Sequence, residues 1–161
     1  MTILTQPLFD LKPHNPTNWR EKVRSVSFDE RQIIRWIMDL YNRGEAFDLD
    51  VCYSTGRFWY DLPQPRLKFD LMPQVAGVVA ADARRLPIPG ASIGSAIFDP
   101  PFVVGPSARP GIIRDRFSCY PNINDLFAFY LSSLKEFHRV LRGNGLLIFK
   151  CQDTLNARTQ H

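Results

Sequence analysis

The sequence predicts an α/β fold, a mostly parallel β-sheet with helices on both faces. Five short apolar segments bounded by turn-forming residues are predicted as strands: 47–52, 66–70, 77–81, 95–99 and 146–151. Two longer segments repeat their apolar residues at helical spacing, one behind Ser27 and one from about Ile123 to Leu141. Strands separated by helices or long connections are typical of a parallel sheet that is covered on both faces.

The first helix is predicted to begin at a capping box, in which Ser27 is followed three residues later by Glu30. Gly44 is expected to end it. Its apolar positions are Ile33, Ile34, Ile37, Leu40 and Tyr41.

The second helix has a longer apolar stripe, which predicts one face packed on the sheet. Its members are Leu126, Phe127, Tyr130, Leu131, Leu134, Phe137 and Val140. Residues 142–145 are expected to form the turn that closes this helix before the last strand.

Length and composition indicate one globular domain. The chain has 161 residues, of which 45% are hydrophobic and 22% charged, and no apolar run approaches the ~20 residues of a membrane span. Residues 1–24 are predicted as an irregular arm, 25–153 as the core and 103–122 as a loop. The N-terminus lacks the pattern of a secretory signal, so a cytoplasmic, intracellular location is expected.

The cysteine positions and the net charge limit the kinds of site and partner that we expect. Cys52, Cys119 and Cys151 are odd in number and far apart, which is typical of neither a disulfide framework nor a metal site, and no metal is expected. The net charge of +4 is compatible with a polyanionic partner such as nucleic acid.

A first group of candidate site residues follows the first strand, in the turn-forming segment 50–56. A nucleoside cofactor needs a tight turn of small residues here, so that its atoms can approach the backbone. An ordinary turn after a strand is the alternative. The group comprises Asp50, Cys52, Tyr53, Ser54 and Gly56.

Two further carboxylates end the next strands. Asp70 lies twenty residues after Asp50, the separation at which a nucleotide-binding fold places a carboxylate on ribose hydroxyls, although a solvated surface Asp is the alternative. Asp82 is a candidate acceptor for an adenine amino group, or else the N-cap of a helix.

The strongest group is Asp99, Pro100, Pro101 and Phe102, directly after the apolar run 95–98. The prolines restrict the backbone and would hold the Asp99 carboxylate and the Pro100 carbonyl in one geometry. Two rigid acceptors beside an aromatic ring form a socket for an amino group on a flat base. A plain exit from a strand is the alternative.

The loop 103–122 is rich in polar and basic residues. Arg109, Arg114, Arg116 and Tyr120 are candidates for contacting phosphates and stacking on a base, and a solvated lid is the alternative.

Taken together, these segments resemble the amino-methylating DNA methyltransferases, over about residues 25–153. DPPF resembles that family's D/N/S-P-P-Y/F motif, and 50–58 resembles its cofactor loop D-P-F-x-G-S-G-T-T, with Val51 in place of a proline and Ser54 in place of a glycine. The segments RLPIPGASIGSAIFDPPF and HRVLRGNGLLIFKCQD also resemble parts of such enzymes.

The resemblance implies a Rossmann-like methyltransferase fold, S-adenosylmethionine as cofactor, and methyl transfer to the exocyclic amino group of a nucleobase, above all adenine in DNA. It implies that Asp99 and the Pro100 carbonyl accept the amino hydrogens while Phe102 stacks on the base, which must be flipped out of duplex DNA. It also places Phe28 near the cofactor pocket, although a core position anchoring the helix is the alternative for that residue.

The resemblance leaves two other functions open: a catalytically silent module that binds cofactor or nucleic acid, and an RNA methyltransferase. It also implies that the last strands of the family's sheet are missing. The strand 146–151 would then be an unpaired apolar edge, at which homo-oligomers could form.

Overall fold

The computed structural model describes residues 27–104 and 119–151, together with the backbone of the pairs 155–156 and 159–160. The predicted N-terminal arm lies outside these residues, as does most of the predicted loop 103–122. The elements are α1 (Glu30–Tyr41), β1 (Leu49–Asp50), a 3-10 turn (Arg57–Trp59), β2 (Leu67–Asp70), β3 (Val79–Ala80), β4 (Ile93–Phe98), β5 (Val103–Val104), β6 (Cys119–Tyr120), α2 (Ile123–Val140), β7 (Leu141–Phe149), β8 (Leu155–Asn156) and β9 (Thr159–Gln160).

Five strands form one sheet in the order β3-β2-β1-β4-β7, and all four pairings are parallel. The predicted α/β class and the five predicted strands are confirmed, and the architecture is compatible with a Rossmann-like fold. Chain order reverses at β1, which pairs with β2 on one side and β4 on the other. Ligands of such sheets bind beside this reversal, at the carboxyl ends of the strands.

Alternating side chains of β4 show that each face of the sheet carries a helix. Ala96 and Phe98 pack in a core cluster with Phe137 of α2. Ile97 packs in a second cluster with Ile34 of α1. Because successive strand residues point to opposite faces, the two helices cover opposite sides of the sheet.

The start of α1 differs from the prediction. Asp29 is the N-cap, and its carboxylate accepts from the Arg31 amide at 3.0 Å. Ser27 lies two residues upstream, where its hydroxyl accepts from the Asp29 amide, so the predicted capping box is wrong. Gly44 acts as expected after the helix: its backbone has a φ of 73° and its amide donates to the Met38 carbonyl.

The buried faces of both helices are narrower than predicted. In α1 the buried residues are Ile34 and Met38, whereas Leu40 and Tyr41 are exposed. In α2 two predicted stripe residues are also exposed, Phe127 and Leu131. The buried positions of α2 include two polar residues, Ser133 and Glu136, which an apolar pattern cannot reveal.

Residues 142–145 also differ from the prediction, because they belong to β7. Leu141 pairs with Ile93, but the next pair is Ser95 with Leu146, so the extra residues of β7 bulge out between these pairs.

Within the described part of the chain, β7 has a neighbour on one side alone, β4. This agrees with the expected edge position. Self-association through this edge stays a prediction, which sedimentation velocity at increasing concentration would test. A species that stays monomeric throughout would count against it.

The loop after β4 contains two strands that the sequence did not predict. Val103 and Val104 pair in parallel with Cys119 and Tyr120, which joins the two ends of this loop. Among the described helices, none has the length and apolar character required to cross a membrane.

Candidate active site

A cavity of about 830 Å³ lies at the carboxyl ends of β1, β2 and β4. Its volume is within the range of small-molecule sites. The structure brings the following predicted site residues together in its lining: Cys52, Ser54, Asp70, Asp82, Asp99, Pro100, Pro101, Phe102 and Tyr120.

Asp50 stabilises the loop after β1 through hydrogen bonds and does not line the cavity. Its buried carboxylate accepts from the Trp59 indole at 2.6 Å and from the Cys52 amide at 2.8 Å. Burial raises the pKa of Asp50 to about 6, although the hydrogen bond from Trp59 opposes this. We therefore assign Asp50 a structural role: it fixes the conformation of the loop, and the loop would contact a ligand.

The turn after Asp50 needs left-handed backbone at two positions. Gly56 has a φ of 74° and Ser54 a φ of 50°, which is uncommon for a residue with a side chain. Ser54 is the residue that stands where the resembling motif has glycine. Gly56 packs against the buried ring of Tyr53, whose hydroxyl donates to the Gln64 side chain, and neither Tyr53 nor Gly56 lines the cavity.

Asp70 is fixed by two backbone donors at the end of β2. One carboxylate oxygen accepts from the Ser54 amide and the other from the Met72 amide, both at 2.8 Å. Each oxygen keeps a second lone pair, so the carboxylate can still accept from two adjacent hydroxyl groups in the cavity.

Asp82 is already paired. Its carboxylate accepts from the Arg84 guanidinium, with a shortest distance of 2.6 Å, and this hydrogen bond lowers the pKa of Asp82. The alternative role as a helix N-cap is wrong, because residues 82–85 form a tight turn with no helix behind it. An adenine amino group would have to share the carboxylate with Arg84.

Asp99 stands at the carboxyl end of β4, beside the reversal of strand order. The Lys150 ammonium lies 3.0 Å from one of its carboxylate oxygens. Burial raises the pKa of Asp99, and Lys150 acts in the opposite direction. Pro100 is fully buried, which anchors the backbone, while the half-buried Phe102 joins the cavity lining.

An aromatic wall formed by Tyr120 and Phe129 closes another side of the cavity. Their ring centroids lie 5.4 Å apart, and the Arg84 guanidinium lies 5.9 Å from the Phe129 centroid. Burial raises the pKa of the Tyr120 hydroxyl, so it stays neutral. These groups provide apolar and cationic surface for a flat ring or a phosphate.

The described lining is acidic on balance. Its carboxylates are Asp70, Asp82, Asp99 and Asp125, against the two cations Arg84 and Lys150. Burial also raises the pKa of the Cys52 thiol well above its usual value, so this cavity cysteine is no thiolate nucleophile. The charge of the described lining thus favours a ligand with positive charge.

Some predicted residues are not among the described lining residues of the cavity. Phe28 is fully exposed and absent from the lining, so the core alternative is wrong and the placement gives no support for cofactor binding. Arg109, Arg114 and Arg116 lie outside the described residues. Among the described residues no cluster of three or more His, Cys, Asp or Glu side chains could hold a metal ion.

The lining residues that sequence reasoning missed include Arg84, Phe129 and Lys150. Lys150 had a readable signal, because it is a lone cation directly after the apolar run 146–149. Arg84 and Phe129 had none, since their place in the wall depends on contact between α2 and the turn after β3.

Comparison with known proteins finds no match. No protein-family model, no curated protein and no solved structure matches the chain.

Proposed function

We propose that this protein transfers the methyl group of S-adenosylmethionine to the exocyclic amino group of a nucleobase, with adenine in DNA as the favoured substrate. The observation that carries the proposal is that Asp70 and the Asp99-Pro100-Pro101-Phe102 segment line one cavity beside the reversal of strand order. The Asp70 carboxylate suits a ribose, and the Asp99-Pro100-Pro101-Phe102 segment suits an amino group on a flat base.

The residues present fit this cofactor. Asp70 would accept from the ribose hydroxyls, and the apolar Leu71 and Met72 beside it offer a surface for the adenine ring. The excess of carboxylates in the lining favours a sulfonium cation. When bound, S-adenosylmethionine supplies an electrophilic methyl group: the amine nitrogen forms the N–C bond as the S–C bond breaks, and sulfur keeps the electron pair.

Asp99 and the aromatic Phe102 would act on the base. The Asp99 carboxylate accepts an amino hydrogen, which orients the nitrogen lone pair and stabilises the positive charge that develops on it. Asp99 then takes the surplus proton from the methylated nitrogen and releases it to water, since its side chain keeps 29% exposure. Phe102 stacks on the base and holds it in line with the methyl group.

A nucleic acid is the proposed partner, because the reaction needs a base displaced into the cavity. The aromatic pair Tyr120 and Phe129 and the Arg84 cation provide contacts that suit a displaced base and its phosphates. DNA is favoured over RNA by the resemblance of DPPF and the cofactor loop to the amino-methylating DNA enzymes.

The test compares the wild-type chain with D99A. We expect D99A to bind S-adenosylmethionine with nearly unchanged affinity but to lose methyl transfer by about 10²-fold or more, because alanine can neither accept the amino hydrogen nor take the proton. Transfer is measured by mass spectrometry of nucleosides after incubation with duplex DNA, single-stranded DNA and single-stranded RNA. D39A, at an exposed position on α1 outside the cavity, is the matched control.

Each other outcome selects a different function. Methylation of RNA alone would select an RNA methyltransferase. Cofactor binding by the wild type without transfer to any of the three substrates would select the silent binding module. Loss of both binding and transfer in D99A would show that Asp99 has a structural role.

A further inference from the structure

Lys150 contacts three other parts of the fold through one ammonium group. It lies 3.0 Å from an Asp99 carboxylate oxygen, 2.6 Å from a Glu30 carboxylate oxygen and 5.8 Å from the centroid of the Phe58 ring. Asp99 directly follows β4, Glu30 lies in the first turn of α1 and Phe58 in the 3-10 turn after β1, while Lys150 follows β7.

Strand register places Lys150 there. Phe98 pairs with Phe149, and the Lys150 amide donates to the Phe98 carbonyl at 2.9 Å. The parallel pairing of β4 and β7 therefore extends to the residue before Asp99. A lysine at this position is held next to Asp99 by backbone hydrogen bonds as well as by charge.

We infer that Lys150 is a positioning residue that holds the Asp99 carboxylate with one oxygen engaged and the other directed to the amino group. The inference rests on the proposed function. Among the described residues, the only hydrogen bond that the Asp99 side chain accepts is the one from Lys150, to Oδ2. Oδ1 is thus left for a substrate.

The charge on Asp99 matters because a protonated carboxyl group cannot take the proton from the methylated nitrogen. Burial raises the pKa of Asp99 and the negative Glu30 adds to this, while Lys150 lowers it. The other titratable groups near Asp99 are Asp50, Cys52 and Tyr130, whose pKa values are raised by burial first and by the Asp99 charge in addition. Lys150 is the cation that opposes the rise in the pKa of Asp99.

The first measurement is a carboxyl ¹³C NMR titration of the full chain, with the Asp99 signal assigned by its loss in D99N. In K150M we expect Asp99 to titrate about 1 pH unit or more above the wild type, because an opposite charge at this distance has been removed. K150R should titrate close to the wild type. K135M removes an exposed lysine on α2, outside the cavity, and should change nothing.

E30Q gives a second test that does not depend on removing the lysine. Loss of the negative Glu30 should move the Asp99 titration to lower pH, opposite to K150M. Equal Asp99 titrations in wild type, K150M and E30Q would overturn the inference.

The activity readout separates this inference from the proposed function. In K150M the acid limb of the kcat profile should move to higher pH, with transfer partly rescued in alkaline buffer and the affinity for S-adenosylmethionine unchanged. A K150M profile that superimposes on that of an active wild type would overturn the positioning role alone. A wild type that methylates no nucleobase would overturn the proposed function, and the positioning role with it.

Discussion

The loop after β1, part of which lines the cavity, contains single residues that hold an unusual backbone conformation. Gly56 combines a φ of 74° with contact against Tyr53, since a Cβ on Gly56 would lie 2.6 Å from the Tyr53 hydroxyl oxygen. Gly77 has a similar φ of 82°, but a Cβ there would meet nothing within 4 Å. Comparing substitutions at the two glycines therefore separates the free-energy cost of the left-handed backbone from the cost of steric overlap with Tyr53.

We predict that G56A destabilises the protein more than G77A, by about 1–3 kcal/mol, because the alanine at 56 also overpacks against a buried ring. Both substitutions share the penalty of a left-handed backbone. Urea denaturation of the two variants gives the difference. Equal free energies of unfolding would mean that Tyr53 moves aside freely and that Gly56 is needed for its φ alone.

At this scale the contiguous part of the site was predictable. Asp99 to Phe102 are adjacent in sequence, so the motif could be read directly, and Asp70 follows from its distance to Asp50 along the chain. Lys150 could not be linked to Asp99 beforehand, because their contact depends on the register of β4 and β7. The core alternative for Phe28 was wrong because an apolar residue before a helix need not point into the core.

Among the elements, the five strands of the main sheet and the bounds of α2 were predictable, whereas the start of α1 and the short strands β5, β6, β8 and β9 were not. Apolar runs bounded by turn residues identify strands even when they are two residues long, as in β1 and β3. The helix start at Asp29 was missed because Ser27 and Asp29 are both good caps, and only the observed bond to Arg31 distinguishes them. The buried face of α2 was misread because Glu136 belongs to it.

Glu136 joins α2 to the segment before β4. Its carboxylate accepts from the Leu86 amide at 2.6 Å and from Arg139 at 2.6 Å, and Arg139 donates in turn to the Leu86 and Ile88 carbonyls. The hydrogen bond from Arg139 is the main reason that the pKa of Glu136 is lowered. This clamp attaches the helix at its C-terminal half.

We predict that E136A lowers the free energy of unfolding by about 1–3 kcal/mol, because the Leu86 amide loses its acceptor in a buried setting. K135A, at the exposed neighbouring position of the same helix, should change stability by less than about 0.5 kcal/mol. Thermal and urea unfolding of both variants provide the comparison. An E136A variant as stable as K135A would show that water replaces the clamp.

For the whole molecule, the sheet order decides where the site is. The carboxyl ends of β1 and β4 are neighbours at the reversal, so Asp50 and its loop meet the Asp99 segment there. Sequence alone predicted parallel strands but not the order β3-β2-β1-β4-β7, since order depends on contacts between distant segments. The contact between α2 and the turn after β3, which closes one side of the cavity, results from that strand order.

The most direct test of the central claim is a calorimetric titration of the chain with S-adenosylmethionine, repeated on D70A. We expect saturable binding by the wild type and an affinity about tenfold or more lower for D70A, because two hydroxyl groups lose a charged acceptor. D39A, which removes an exposed carboxylate outside the cavity, should bind as the wild type does. No binding by the intact chain, or equal binding by D70A, would contradict the assignment of this cavity to the cofactor.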